Sequence, residues 1–191
     1  MQPLVLTTRV LVLQHPQEID VDLGTAGLLV QSSSSVTVRP GLSWASLSQA
    51  TGDPEARPGA WAVLWGGSLP RPLTEEEARQ EVVVLPPRGR ASREAPFVGL
   101  VALDGTWSQA KALWWRNPWL LKLHRVVLHP RQPGIYGRLR QEPRREAVST
   151  LEALALALVA NGEVPEAGDR LRRLMRAMCQ RARDFSRKQE V

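Results

Sequence analysis

Apolar residues in this chain come in short runs, separated by polar stretches that carry glycine and proline. Val10-Leu11-Val12-Leu13, ending at Gln14, is the first, followed by Val36-Thr37-Val38, Trp61-Ala62-Val63-Leu64-Trp65 and Val82-Val83-Val84-Leu85. Phe97 to Leu103 and His124 to Pro130 complete the set. Uninterrupted apolar runs of this length between turn formers read as buried strands. Three longer segments follow helical spacing instead. Thr106 to Arg116 is stopped by Asn117-Pro118, and Ser149 to Ala160 is apolar nearly all round and stopped by Asn161-Gly162. From Pro165 to Lys188, Leu171, Leu174, Met175, Met178, Ala182 and Phe185 mark one face while arginines fall mostly elsewhere. Shorter helices are expected near Leu23–Leu29 and Trp44–Ala50, and a capping box at Thr74-Glu75-Glu76-Glu77. Strands alternating with helices predict α/β architecture: a single domain over residues 1–191, core about 9–185, with a mostly parallel sheet flanked by helices.

Composition narrows the class. The 191 residues are 43% hydrophobic and 23% charged, which suits a soluble globular domain. The one cysteine, Cys179, excludes an intramolecular disulfide and a cysteine-based metal cluster. His15, His124 and His129 lack metal-ligand spacing, so no metal is expected. The first residues lack the plan of a signal peptide and no apolar run is long enough to span a bilayer. A cytoplasmic protein without a membrane partner is expected. The net charge of +6 favours a polyanionic partner such as nucleic acid. Most of the basic residues are arginine, which GC-rich coding also produces.

Candidate chemistry concentrates at two helix starts. Asp104-Gly105-Thr106-Trp107 follows the run Phe97 to Leu103, at the strand-to-helix edge where open α/β sheets bind ligands. A carboxylate there caps a helix, pairs with a base or meets a ligand. Thr106 is a natural cap, and Gly105 permits close backbone approach or a positive φ. Ser149-Thr150-Leu151-Glu152 reads as a capping box. A helix start with free N–H groups is also an anion site, so capping and ligand binding both remain open for it. On the helix after Thr106, Lys111 is expected to point away from Trp107, and an indole beside Arg116 has the chemistry to stack a base. Arg131, Arg138, Arg140, Arg144 and Arg145 form either a solvated loop or a phosphate grip. The chain has no P-loop, full GxGxxG, nucleophile elbow or HExxH motif.

Three blocks taken in order resemble the DTW-domain family, named for an Asp-x-Thr-Trp motif. They are Leu11 to Glu18 with Leu23 to Leu28, Asp104-Gly105-Thr106-Trp107, and Ser149-Thr150-Leu151-Glu152-Ala153, with Pro133 to Arg140 between the last two. The resemblance covers residues 9–185. It implies a SPOUT-like α/β fold related to the knotted methyltransferases, with the presence of a knot left open, and transfer of the 3-amino-3-carboxypropyl group of S-adenosylmethionine to N3 of a uridine in tRNA. Asp104, Thr106 and Trp107 are then the expected catalytic residues, with Asp104 as general base. Gly105, Leu128, Pro130, Tyr136, Ser149, Thr150 and Glu152 are expected at the cofactor. Lys111, Arg116, Arg138, Arg140, Arg144 and Arg145 are expected on the RNA. Two departures concern RNA choice more than chemistry: the N-terminal cysteine cluster common in the family is absent, and the opening block reads Gly24-Thr25-Ala26-Gly27 without the arginine often found there. A methyltransferase of the same fold class, a non-catalytic RNA-binding protein and a homodimer stay open at this stage.

Overall fold

A computed structural model describes residues 3–21, 23–67, 69, 71–87, 96–137, 139 and 148–189. Within them, the six apolar runs become one six-stranded sheet in the order β2-β1-β5-β3-β6-β4. The strands are β1 (Arg9–Gln14), β2 (Val36–Pro40), β3 (Trp61–Trp65), β4 (Val82–Leu85), β5 (Gly99–Asp104) and β6 (His124–Leu128). The helices are α1 (Ala26–Ser32), α2 (Leu47–Thr51), α3 (Glu75–Arg79), α4 (Trp107–Arg116), α5 (Thr150–Ala160) and α6 (Pro165–Gln189). All neighbouring strands run parallel except β4, which lies antiparallel on β6 at one edge. Parallel pairing needs crossover connections, and α1 between β1 and β2 and α4 between β5 and β6 supply two of them.

Alternation along the strands sorts the core into two layers. Val10, Val12, Leu100, Ala102, Ala62 and Val126 face α1, α5 and α6, whereas Leu11, Leu13, Val101, Val63 and Trp61 face α2, α4 and the 3-10 turn at Pro118–Lys122. The central strands are buried on both faces, which is why their sequences are apolar without alternation. Gly99 is register partner to Trp61, and a Cβ there would collide with the Trp61 ring. That is why a glycine interrupts the Phe97–Leu103 run.

Several expectations shift. α1 starts at Ala26, after the expected Gly-bearing turn, because Leu23 adopts φ 66°, a left-handed conformation no helix accommodates. α2 starts at Leu47, since the Ser46 side chain caps it by accepting from Gln49 N at 3.1 Å. Phe185, expected on the buried face of α6, is 64% exposed. α6 buries Ala167, Leu171, Met175 and Cys179. It has 25 residues against 11 in α5, about 38 Å against about 17 Å at 1.5 Å per residue, so its end overshoots its packing partner. The presence of a knot depends on the path from β6 to α5, and residues 138 and 140–147 of that path lie outside the described residues. No described helix is long and apolar enough to cross a membrane.

Candidate functional site

A cavity of about 230 Å³ opens at the carboxyl edge of the parallel strands. Leu64, Trp65, Gly66 and Gly67 at the end of β3 form its floor, and Ala102, Leu103 and Gly105 at the end of β5 form one wall. Leu128 and Pro130 close the β6 side. Trp107, Ala110 and Lys111 come from the start of α4, and Val148, Thr150 and Ala153 from the start of α5. α4 and α5 pack on opposite faces of the sheet, so the cavity lies where their N-termini converge across its edge. That is the expected ligand position in an open α/β sheet. Gly66 is required by the geometry: a Cβ there would sit 2.8 Å from the Trp107 ring.

Asp104 is no helix cap. It is 7% exposed, and its side chain stands on the α5 face of the sheet. Oδ1 accepts from Thr150 Oγ1 at 2.6 Å, and Oδ2 accepts from Gln14 Nε2 at 3.1 Å. Its backbone oxygen accepts from His15 N at 2.9 Å. The carboxylate therefore joins the ends of β1 and β5 to the first residue of α5. It stands behind Thr150, outside the cavity lining. Gly105 has φ 158°, a positive φ that side-chain-bearing residues rarely adopt, and a Cβ there would also lie 2.9 Å from Gln109 Cβ and 3.4 Å from His15 Cβ.

Thr106 caps α4 through a capping box. Gln109 Oε1 accepts from Thr106 N at 2.6 Å, and Thr106 Oγ1 accepts from Gln109 N at 3.4 Å. Ser149 and Glu152 do the same for α5, but buried. Ser149 Oγ donates to Glu152 Oε2 at 2.8 Å, while Glu152 Oε1 accepts from Ile135 N at 2.8 Å. Tyr136, also buried, donates from its hydroxyl to Leu23 O at 2.5 Å. These bonds tie the 135–136 segment to α5 and to the turn before α1. Ser149, Glu152 and Tyr136 brace the site, and of the residues expected at the cofactor, Gly105, Leu128, Pro130 and Thr150 line the cavity.

Lys111 lines the cavity beside Trp107, contrary to the expectation that it points away. Residues i and i+4 share a helix face. Arg116 is exposed at the end of α4, while Arg138, Arg140, Arg144 and Arg145 lie outside the described residues. Among the lining residues only Lys111 and Thr150 carry an ammonium or a hydroxyl. Behind the floor, the Arg125 guanidinium stacks on Trp65 and Trp114, 5.5 and 5.3 Å from the ring centroids. Burial lowers its pKa.

Sequence reasoning did not single out Gln14 or Gly66. The available signals were a polar residue closing an apolar strand, and a glycine pair at a strand end. Neither identifies a partner, because Gln14 meets Asp104 only through the pairing of β1 with β5, 90 residues apart in sequence.

The family model described as the DTW domain matches residues 1–183. A Drosophila melanogaster protein named tRNA-uridine aminocarboxypropyltransferase 2 is 27% identical over 189 residues, covering 93% of this chain. The chain spans 65% of that relative's length. No solved structure matches the chain. The three sequence blocks that share these bonds around one cavity, together with a family match over nearly all residues, lead to one conclusion: the chain belongs to the DTW domain family.

Proposed function

We propose that this chain is a cytoplasmic tRNA-uridine aminocarboxypropyltransferase, moving the 3-amino-3-carboxypropyl group of S-adenosylmethionine to N3 of a uridine in tRNA. The family membership and the name of the fly relative support the reaction class. The observation that carries the reading is a carboxylate-backed hydroxyl, Asp104 behind Thr150, in an apolar cavity that holds one ammonium, Lys111. The cavity fits the donor in kind: Gly66 lets the Trp107 ring lie close against the end of β3, and Trp65 and Trp107 offer flat apolar surface to an adenine.

When bound, S-adenosylmethionine would supply a sulfonium whose carbon γ to the carboxylate is electrophilic, so that its bond to sulfur breaks as the bond to N3 forms and methylthioadenosine leaves. Leu64, Leu103 and Leu128 would give that sulfonium an apolar surround within the cavity. The dipole at the start of α5 is already met by two carboxylates of the chain, Asp104 on Thr150 and Glu152 in the cap. Thr150 Oγ1 donates its proton to Asp104 Oδ1, so its lone pairs are free to accept the N3–H of uridine. The N3 proton then passes to Thr150 Oγ1 as the threonine proton passes to Asp104, leaving N3 nucleophilic. Gln14 Nε2 fixes the second carboxylate oxygen and so sets the direction of the first. Lys111 holds a phosphate of the target nucleotide at the cavity mouth.

Nucleoside mass spectrometry tests the reading. Unmodified tRNA incubated with the purified chain and S-adenosylmethionine should yield 3-(3-amino-3-carboxypropyl)uridine. A methylated nucleoside in its place, or no adduct on any tRNA, would overturn it.

A further inference from the structure

We infer that Trp115 is a stacking platform for a base next to the target uridine, reached along one stripe of α4 that leads out of the cavity. The inference rests on the RNA substrate proposed above. Trp107, Lys111 and Trp115 are spaced four apart and share one face of α4. The first two line the cavity, whereas Trp115 is 77% exposed. In this helix the packing is done by Leu113 and Trp114, which leaves the Trp115 indole in water. Tryptophan is highly buried on average, so an indole this bare on the helix that lines a candidate site is informative.

Position and charge select the occupant. At 1.5 Å per residue, Trp115 lies about 12 Å along the axis from Trp107 with Lys111 midway, a span that a neighbouring nucleotide or two bridges. The Cα–Cβ bonds of a helix tilt toward its N-terminus, here toward the cavity. The platform is also rigid. Buried Asn117 closes α4 by donating to Leu113 O at 2.7 Å and to Leu42 O at 3.1 Å, and Ser43 Oγ donates to Arg116 O at 3.0 Å. From Gly105 to Gln141 the sequence holds no aspartate or glutamate, while Lys111, Arg116 and Lys122 lie on or just after α4. Among the described residues neither Lys111 nor Arg116 forms an ion pair. An exposed indole between unpaired cations matches single-stranded nucleic acid, whose bases stack and whose phosphates need countercharge.

The test compares wild type, Trp115→Ala and Trp115→Phe by equilibrium binding of unmodified tRNA and by the kinetics of transfer. Trp115→Ala should weaken binding and raise KM for tRNA about ten-fold while leaving kcat and the melting temperature within error, and Trp115→Phe should recover most of the loss. Equal affinity for tRNA in wild type and Trp115→Ala would overturn the inference, as would loss of a dimer in Trp115→Ala with tRNA affinity unchanged. The binding arm needs no transfer. A wild type that binds tRNA but forms no adduct therefore fails the proposed reaction and still decides the role of Trp115.

Discussion

Helices α4 and α5 begin with the same device at the same edge of the sheet, yet the two starts live in different surroundings. Each has a hydroxyl N-cap and an acceptor three residues later, Thr106 with Gln109 and Ser149 with Glu152, and both boxes close. The Thr106 box is solvent-facing, and its Gln109 reaches only the side chain of Gln17, at 3.2 Å. The Ser149 box is buried under the 135–136 segment, and Glu152 must also accept from Ile135 N. A local signature thus reports a helix start and nothing about its importance. The carboxylate at the first start, Asp104, serves the second one, since its bond is to Thr150.

Breaking the two boxes separately should show the asymmetry. Glu152→Ala leaves the Ile135 N–H and the Ser149 cap without their buried acceptor, and should cost about 2–4 kcal/mol in chemical denaturation. Gln109→Ala, a change at a half-buried residue beside the exposed Thr106, should cost about 0.5–1 kcal/mol by the same measurement. Equal costs would mean that burial does not separate the two starts.

The smallest effect sharpens the comparison from the far end of α5. Glu163, just after that helix, accepts from Thr7 Oγ1 at 2.7 Å and Thr8 N at 2.6 Å. Burial pushes its carboxyl up, but these hydrogen bonds outweigh it and the net pKa is lowered. A lowered folded pKa stabilises the protein above the unfolded value near pH 4.3, and that contribution is lost as pH falls through the folded value. Denaturation curves between about pH 6 and pH 3 should therefore show a shallower loss of stability in Glu163→Gln than in wild type. Identical slopes would contradict the assignment.

Much of the frame was legible from pattern alone. Continuous apolar runs with helices between them can only be satisfied by a sheet covered on both faces, and the three longer helices were readable from their periodicity and stop signals. Asp104 and Thr150 were also legible as separate residues. What the pattern could not supply was their contact, because it depends on β5 ending beside the start of a helix that follows β6. The place of Lys111 in the cavity follows from spacing alone, since a residue four after Trp107 shares its helix face. The buried duties of Ser149, Glu152 and Tyr136 depend on a loop docking onto α5, and loop docking leaves no periodic trace.

The central claim is that Asp104 and Thr150 act as one unit on one proton, and a double-mutant cycle on kcat/KM for tRNA tests it most directly. Asp104→Asn and Thr150→Val should each lower transfer by about 10²–10⁴. The double variant should be no worse than the more damaged single variant, since either change already breaks the unit. Multiplicative losses in the double variant would show that the two side chains work independently, and would contradict the account.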